Sequence, residues 1–189
     1  SPVAAVCEAP TTLVLPSDHQ AVPLLMEIED NLATALASGA IKLIRADYLR
    51  RSSLAHLACR QALEKEKRVE VFLSPEEAVD AFRSNSRCIA AFTYGWVTRD
   101  HPDVTGDYLD AMRGYLAHSL GAHVVGLFWD FASLPQPPRT EAEEMLLATG
   151  MSAMAYLYAS PFGTTVVRHR TIPKRPPELD GEMIVFVEG

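Results

Sequence analysis

The apolar positions of this chain fall into two kinds of pattern. From Pro23, the residues Leu24, Leu25, Ile28, Leu32 and Leu36 recur at helical spacing, and Gly39 supplies a stop. Leu54, Leu57 and Leu63 predict a helix over 47–66 in the same way. Leu109, Met112 and Leu116 predict another over 107–120, ended by Gly121. Against these stand uninterrupted apolar runs at 88–92, 123–129 and 155–159, the pattern of strands covered on both faces. Weaker strand-like runs occupy 12–15, 41–44, 164–167 and 183–187. Two helix starts are explicit. Ser74-Pro75-Glu76-Glu77 sets a capping hydroxyl three residues before a glutamate, with Pro at the first helical position. Thr140-x-x-Glu143 repeats the box and opens a helix to about Met151.

Buried strands alternating with amphipathic helices predict an α/β sandwich with a mainly parallel sheet. No internal repeat or long linker interrupts the order, so residues 1–189 read as one domain. In such sheets ligands bind beyond the C-terminal ends of the strands. That rule selects the loops 93–105, 130–140 and 160–164.

The first loop gathers Thr93, Tyr94, Trp96, Arg99, Asp100, His101 and Asp103 just past a buried strand. Hydroxyls, a ring and carboxylates together suit a ribose or phosphate, or acid–base chemistry. The alternative is a capped surface turn. In the second loop Asp130 ends an apolar strand, so its carboxylate needs a partner, and Arg139 is the nearest candidate. Asp130 either accepts from a ligand or orders its own loop through backbone amides. The segment Arg168-His169-Arg170, with Lys174 and Arg175, is the one basic concentration; it reads as a solvated edge strand that could also meet a phosphate.

Composition narrows the classes. The chain has 189 residues, 17 Lys and Arg against 24 Asp and Glu, and a net charge of −7. That balance argues against nucleic acid or an anionic membrane as a partner. No apolar run approaches the ~18 residues of a membrane span, and no signal peptide is visible. Cys7, Cys59 and Cys88 are too few and too scattered for a disulfide framework or a zinc site, which points to a reduced, cytoplasmic protein. His101 with Asp100 and Asp103 lacks a further ligand at fixed spacing, so no metal is expected. Dinucleotide-binding glycine, P-loop, HExxH and GxSxG motifs are absent from the sequence.

The segment Phe92-Thr93-Tyr94-Gly95-Trp96, followed by Asp100, resembles the first strand and loop of Toll/interleukin-1 receptor (TIR)-type domains. Asp130 to Gln136, with Leu134-Pro135, resembles their second motif, and Tyr156 to Ser160 their third strand and serine. Phe128 to Gln136, with Arg139 to Glu143, is also similar to microbial-eukaryote proteins bearing an F-W-D-F-x-S-L-P-Q segment. The resemblance covers a TIR-like core at 87–167 and leaves 1–85 as an N-terminal extension or additional strands and helices. It implies a flavodoxin-like three-layer sandwich. It also implies either protein-interaction signalling or cleavage of NAD at the nicotinamide–ribose bond. The NAD-cleaving members carry Trp-Cys-x-x-Glu after the third strand; here the acids beyond Ser160 are Glu178, Asp180, Glu182 and Glu188, in no such context. The family's late Phe-Trp pair is also missing, since Val187 follows Phe186.

The expectation is therefore a TIR-like signalling or interaction module without strong catalysis. It would bind an NAD- or ADP-ribose-like nucleotide through Thr93, Tyr94, Trp96, Asp100, Asp130, Ser133 and Arg139, or a protein partner or second copy of itself. The alternative is an NAD glycohydrolase or related nucleotide N-glycosidase. In it Asp103, Asp130 or Glu143 would stabilise the ribosyl cation and Trp96 would stack on the base.

Overall fold

The three buried apolar runs have different fates. The computed structural model describes residues 18–66, 70–84, 86–98, 101–159, 163–174 and 177–179. Its elements are α1 (Asp18–Ala37), β1 (Ile44–Arg45), α2 (Ala46–Arg51), α3 (Arg60–Glu64), α4 (Pro75–Arg83) and β2 (Ile89–Thr93). There follow α5 (Asp107–Ala117), β3 (Gly126–Phe128), α6 (Asp130–Ser133), α7 (Glu141–Ala159), β4 (Thr164–Arg168) and a 3-10 turn, Pro177–Leu179. The runs at 88–92 and 123–129 become β2 and the shorter β3. The run at 155–159 does not form a strand; it is the last part of α7.

The reason is physical. A short apolar run fits a buried helix as well as a buried strand, and only its context separates the two. Here the Thr140–Glu143 box starts a helix, and no breaker intervenes before Pro161. Gly150 does not break α7, because α7 lies tight against its neighbours there. A Cβ at that position would come within 2.7 Å of Leu134 and 3.0 Å of the Ala40 carbonyl oxygen. Other expectations shift as well. The helix expected over 47–66 is two short helices, α2 and α3, and the strand expected at 41–44 is confined to Ile44–Arg45. The runs at 12–15 and 183–187 lie outside the described residues.

The sheet runs β1-β3-β2-β4, with β2 parallel to both β3 and β4, and β1 antiparallel at one edge. It is thus a mixed, mostly parallel α/β sheet. Side chains alternate between two cores, as the pleat requires. Ile89, Ala91 and Phe128 pack with Leu32 and Leu36 of α1, Phe82 of α4 and Leu157 of α7. Ala90, Phe92, Leu127 and Trp129 pack with Leu49 of α2 and Leu109 and Met112 of α5. Helices therefore cover the sheet on both sides. From β2 the chain passes through α5 to the neighbour β3, then through α7 to the other neighbour, β4. The connections diverge at β2, and its C-terminal end is where a crevice is expected. Of the third loop, residues 160–162 lie outside the described residues, and Thr164 opens β4 at the opposite end of the sheet.

Candidate functional site

At the C-terminal ends of β2 and β3, two loops are tied together by one carboxylate. Tyr94, the residue after β2, donates its hydroxyl to Asp130 Oδ1. The Trp96 indole N–H donates to Asp130 Oδ2 at 3.3 Å, and the Phe131 amide donates to Oδ1 at 2.7 Å. Burial pushes the Tyr94 phenol well above the usual tyrosine range, and the Asp130 charge adds to it, so the hydroxyl keeps its proton as a donor. Among the described residues, the buried Trp129 Nε1 has no hydrogen-bond partner.

Aromatic packing surrounds this node. Phe92 stacks on Tyr94 with ring centroids 4.8 Å apart, and Tyr108 lies 5.0 Å from Tyr94. Tyr108 also donates to the Gly95 carbonyl at 2.7 Å. Trp96 and His101 both set their rings edge-on against Phe131. Tyr158 of α7 donates to the Phe92 carbonyl at 3.2 Å; burial and the Asp130 charge push its phenol up to about 12. Ile172 closes over Gly95, where a Cβ would lie 2.6 Å from its Cδ1; glycine is what lets the chain after β4 cross here.

The other candidates are placed apart from that node. Asp103 is buried and accepts from the amides of Tyr108 at 3.1 Å and Leu109 at 2.9 Å. It thereby caps α5, whose own cap residue, Gly106, has no side chain to do so. Glu143 accepts from the amide and hydroxyl of Thr140, which completes the capping box and holds its carboxyl below the usual range. Ser133 is buried, and its hydroxyl accepts from the Trp129 amide at 3.0 Å. Arg139 does not reach Asp130. It pairs with Glu144 at 2.9 Å, because the rigid Pro135–Pro138 stretch aims it at the start of α7. Thr93 sits at the end of β2, where its carbonyl accepts from the His169 amide at 2.9 Å. Asp100 lies outside the described residues.

Sequence reasoning missed Tyr108, Tyr158 and Arg60. Tyr158 was hidden by the reading of 155–159 as a strand. Arg60 is almost fully buried and donates to the carbonyls of Gly39, Ala40 and Ser133 and to Glu64, fastening α3 to the loop after α1 and to α6. Its i, i+4 pairing with Glu64 reads as an ordinary helix-surface pair, and no spacing marks the three carbonyls that bury it, which lie 20, 21 and 73 residues away.

Two cavities lie along β1 rather than at the node. One, of about 1070 Å³, is lined by Arg45, Tyr48, Arg50 and Val125 among others; the second, of about 500 Å³, by Lys42, Leu63, Val71 and Phe72 among others. Among the described residues, no group of His, Cys, Asp or Glu could hold a metal, and no helix is long and apolar enough to cross a membrane. Compared with protein-family models, curated proteins and solved structures, the chain shows no significant match.

Proposed function

We propose that the chain is a TIR-like interaction module of the flavodoxin-like, three-layer type, and that it does not turn over NAD. Its working face is the loop surface at the ends of β2 and β3. The observation that carries this reading is the engagement of all three carboxylates considered for glycosidic chemistry. A group that stabilises a ribosyl cation must face the sugar with acceptor capacity to spare. Asp103 uses both oxygens on α5 amides, Glu143 closes a capping box, and Asp130 holds Tyr94, Trp96 and Phe131.

Helices on both sides of the sheet, with connections that diverge at β2, support the three-layer reading. Its TIR-like character rests on the β2 and β3 units alone, since the third motif falls at the end of α7. An ADP-ribose-like nucleotide is the small ligand that this face would take, by stacking on Trp96 and hydrogen bonding to Thr93, neither of which needs a free acid. The test is to incubate the purified protein with NAD, follow nicotinamide release by chromatography, and measure melting with NAD, ADP-ribose and ATP. No sustained release is expected, together with a raised Tm for a ribose-bearing ligand. Steady turnover that is lost in Asp103→Ala, Asp130→Ala or Glu143→Ala would overturn the non-catalytic reading.

A further inference from the structure

We propose that the outer edge of β4 is a strand-addition site for an extended, acidic segment of a partner protein. β4 pairs with β2 on one side, and among the described residues no strand pairs with the other. The His169 amide donates to the Thr93 carbonyl, so residues at alternate positions from it, 167 and 165, turn their backbone groups to β2. The N–H and C=O of Val166 and Arg168 therefore point outward. Val166 is 46% exposed, a bare apolar side chain beside those free groups.

Lys65 and Arg83 stand singly without a partner among the described residues, whereas two such cations follow each other at alternate positions at the end of β4. The side chains of Arg168 and Arg170 are exposed and make no hydrogen bond or ion pair with any described residue. Arg45, Arg50, Arg51, Arg60, Arg113 and Arg139 each pair with a carboxylate. In a chain of net charge −7, acids to neutralise the two cations are plentiful, yet among the described residues none pairs with them.

Charge on an edge strand ordinarily discourages pairing. Two cations at one end do so selectively: they repel a basic strand, and also a second copy presenting the same edge. They attract an extended segment whose acids fall opposite them. Main-chain hydrogen bonds would supply affinity, and Arg168 and Arg170 specificity. This surface adjoins the proposed loop face through Thr93 but does not depend on nucleotide binding there.

The experiment titrates the full chain into a labelled synthetic peptide that alternates Glu with Val and Thr, and into its Lys-for-Glu counterpart, and reads fluorescence anisotropy. The acidic peptide is expected to bind, more weakly at high salt, and the basic one not at all. Arg168→Glu with Arg170→Glu should abolish binding while circular dichroism stays unchanged. Val166→Pro removes one outward amide but no bond of the β2 ladder, and should weaken binding about tenfold. Failure of the acidic peptide to bind, or undiminished binding by the charge-reversed variant, would overturn the proposal. Binding seen only after removal of residues 180–189 would assign the edge to the chain's own acidic tail and overturn it as well. Nicotinamide release and nucleotide melting shifts read none of these outcomes, so the two proposals fail separately.

Discussion

At the ends of β2 and β3, most polar groups answer one another, although the Trp129 indole N–H finds no partner among the described residues. Tyr94 and Trp96 donate to Asp130, Tyr108 to the Gly95 carbonyl, and Tyr158 to the Phe92 carbonyl. At the neighbouring edge of the sheet, the side chains of Arg168 and Arg170 pair with none of the described residues. Groups of the first kind hold a fold, because stranding a buried donor or acceptor costs more than an average hydrogen bond contributes. Groups of the second kind contribute little to the fold and remain available to a partner. The sequence puts Tyr94, Trp96 and Asp130 in strand-end loops and reads Arg168 to Arg170 as a solvated edge strand; only the geometry shows which groups are paired.

The largest expected effect tests the first half of that contrast. Asp130→Ala would strand the Tyr94 hydroxyl and the Trp96 indole N–H and should destabilise the protein by about 1–3 kcal/mol in urea unfolding. Asp130→Asn, which keeps an acceptor, should cost less. A double-mutant cycle with Tyr94→Phe should show coupling, since the two side chains share the bond. Independent, additive losses would mean that the node is not a unit.

This contrast also explains what could be read in advance. The strands at β2 and β3, the Ser74 and Thr140 capping boxes and the gathering of Tyr94, Trp96 and Asp130 were legible, because each depends on local pattern or on strand ends. The helical fate of 155–159 was not, since an apolar run has no period that marks it as a strand. Nor was the partner of Asp130. Proximity in sequence favoured Arg139, whereas the parallel pairing of β2 with β3 brings Tyr94 there from 36 residues away. Asp103 and Glu143 looked like candidate acids because a cap and a catalytic carboxylate share one residue type, and only their amide partners tell them apart.

A smaller effect, visible only against pH, tests how tightly the loop after β2 is packed. His101 is half-buried, and its Nδ1 accepts from the Asp103 amide at 3.1 Å, which requires that nitrogen unprotonated. Burial pushes its pKa below 6.5, and His56 acts in the same direction; Asp103 and the Leu57 backbone oppose them. The folded state thus binds this proton less readily than the unfolded chain. Its contribution to stability is complete above the unfolded value and is lost as pH falls through that value toward the folded one. Urea midpoints measured between about pH 7 and 5 should decline, and His101→Gln should flatten that part of the curve. An unchanged slope in the variant would show that His101 titrates as though free in solution.

The smallest expected effect is at the β4 edge, and its smallness is the point. Arg168→Ala with Arg170→Ala removes two exposed cations that pair with none of the described residues. Surface substitutions away from caps, cores and networks usually stay within about 0.5 kcal/mol. Here the only cost is a slightly larger negative charge on a chain already at −7, which salt should screen. The unfolding midpoint should therefore match the parent protein at moderate ionic strength. A loss above about 1 kcal/mol, persisting in salt, would show that the arginines hold the strand in place through their aliphatic stems. The edge would then belong with the Asp130 node, as part of the fold rather than as a surface held for a partner.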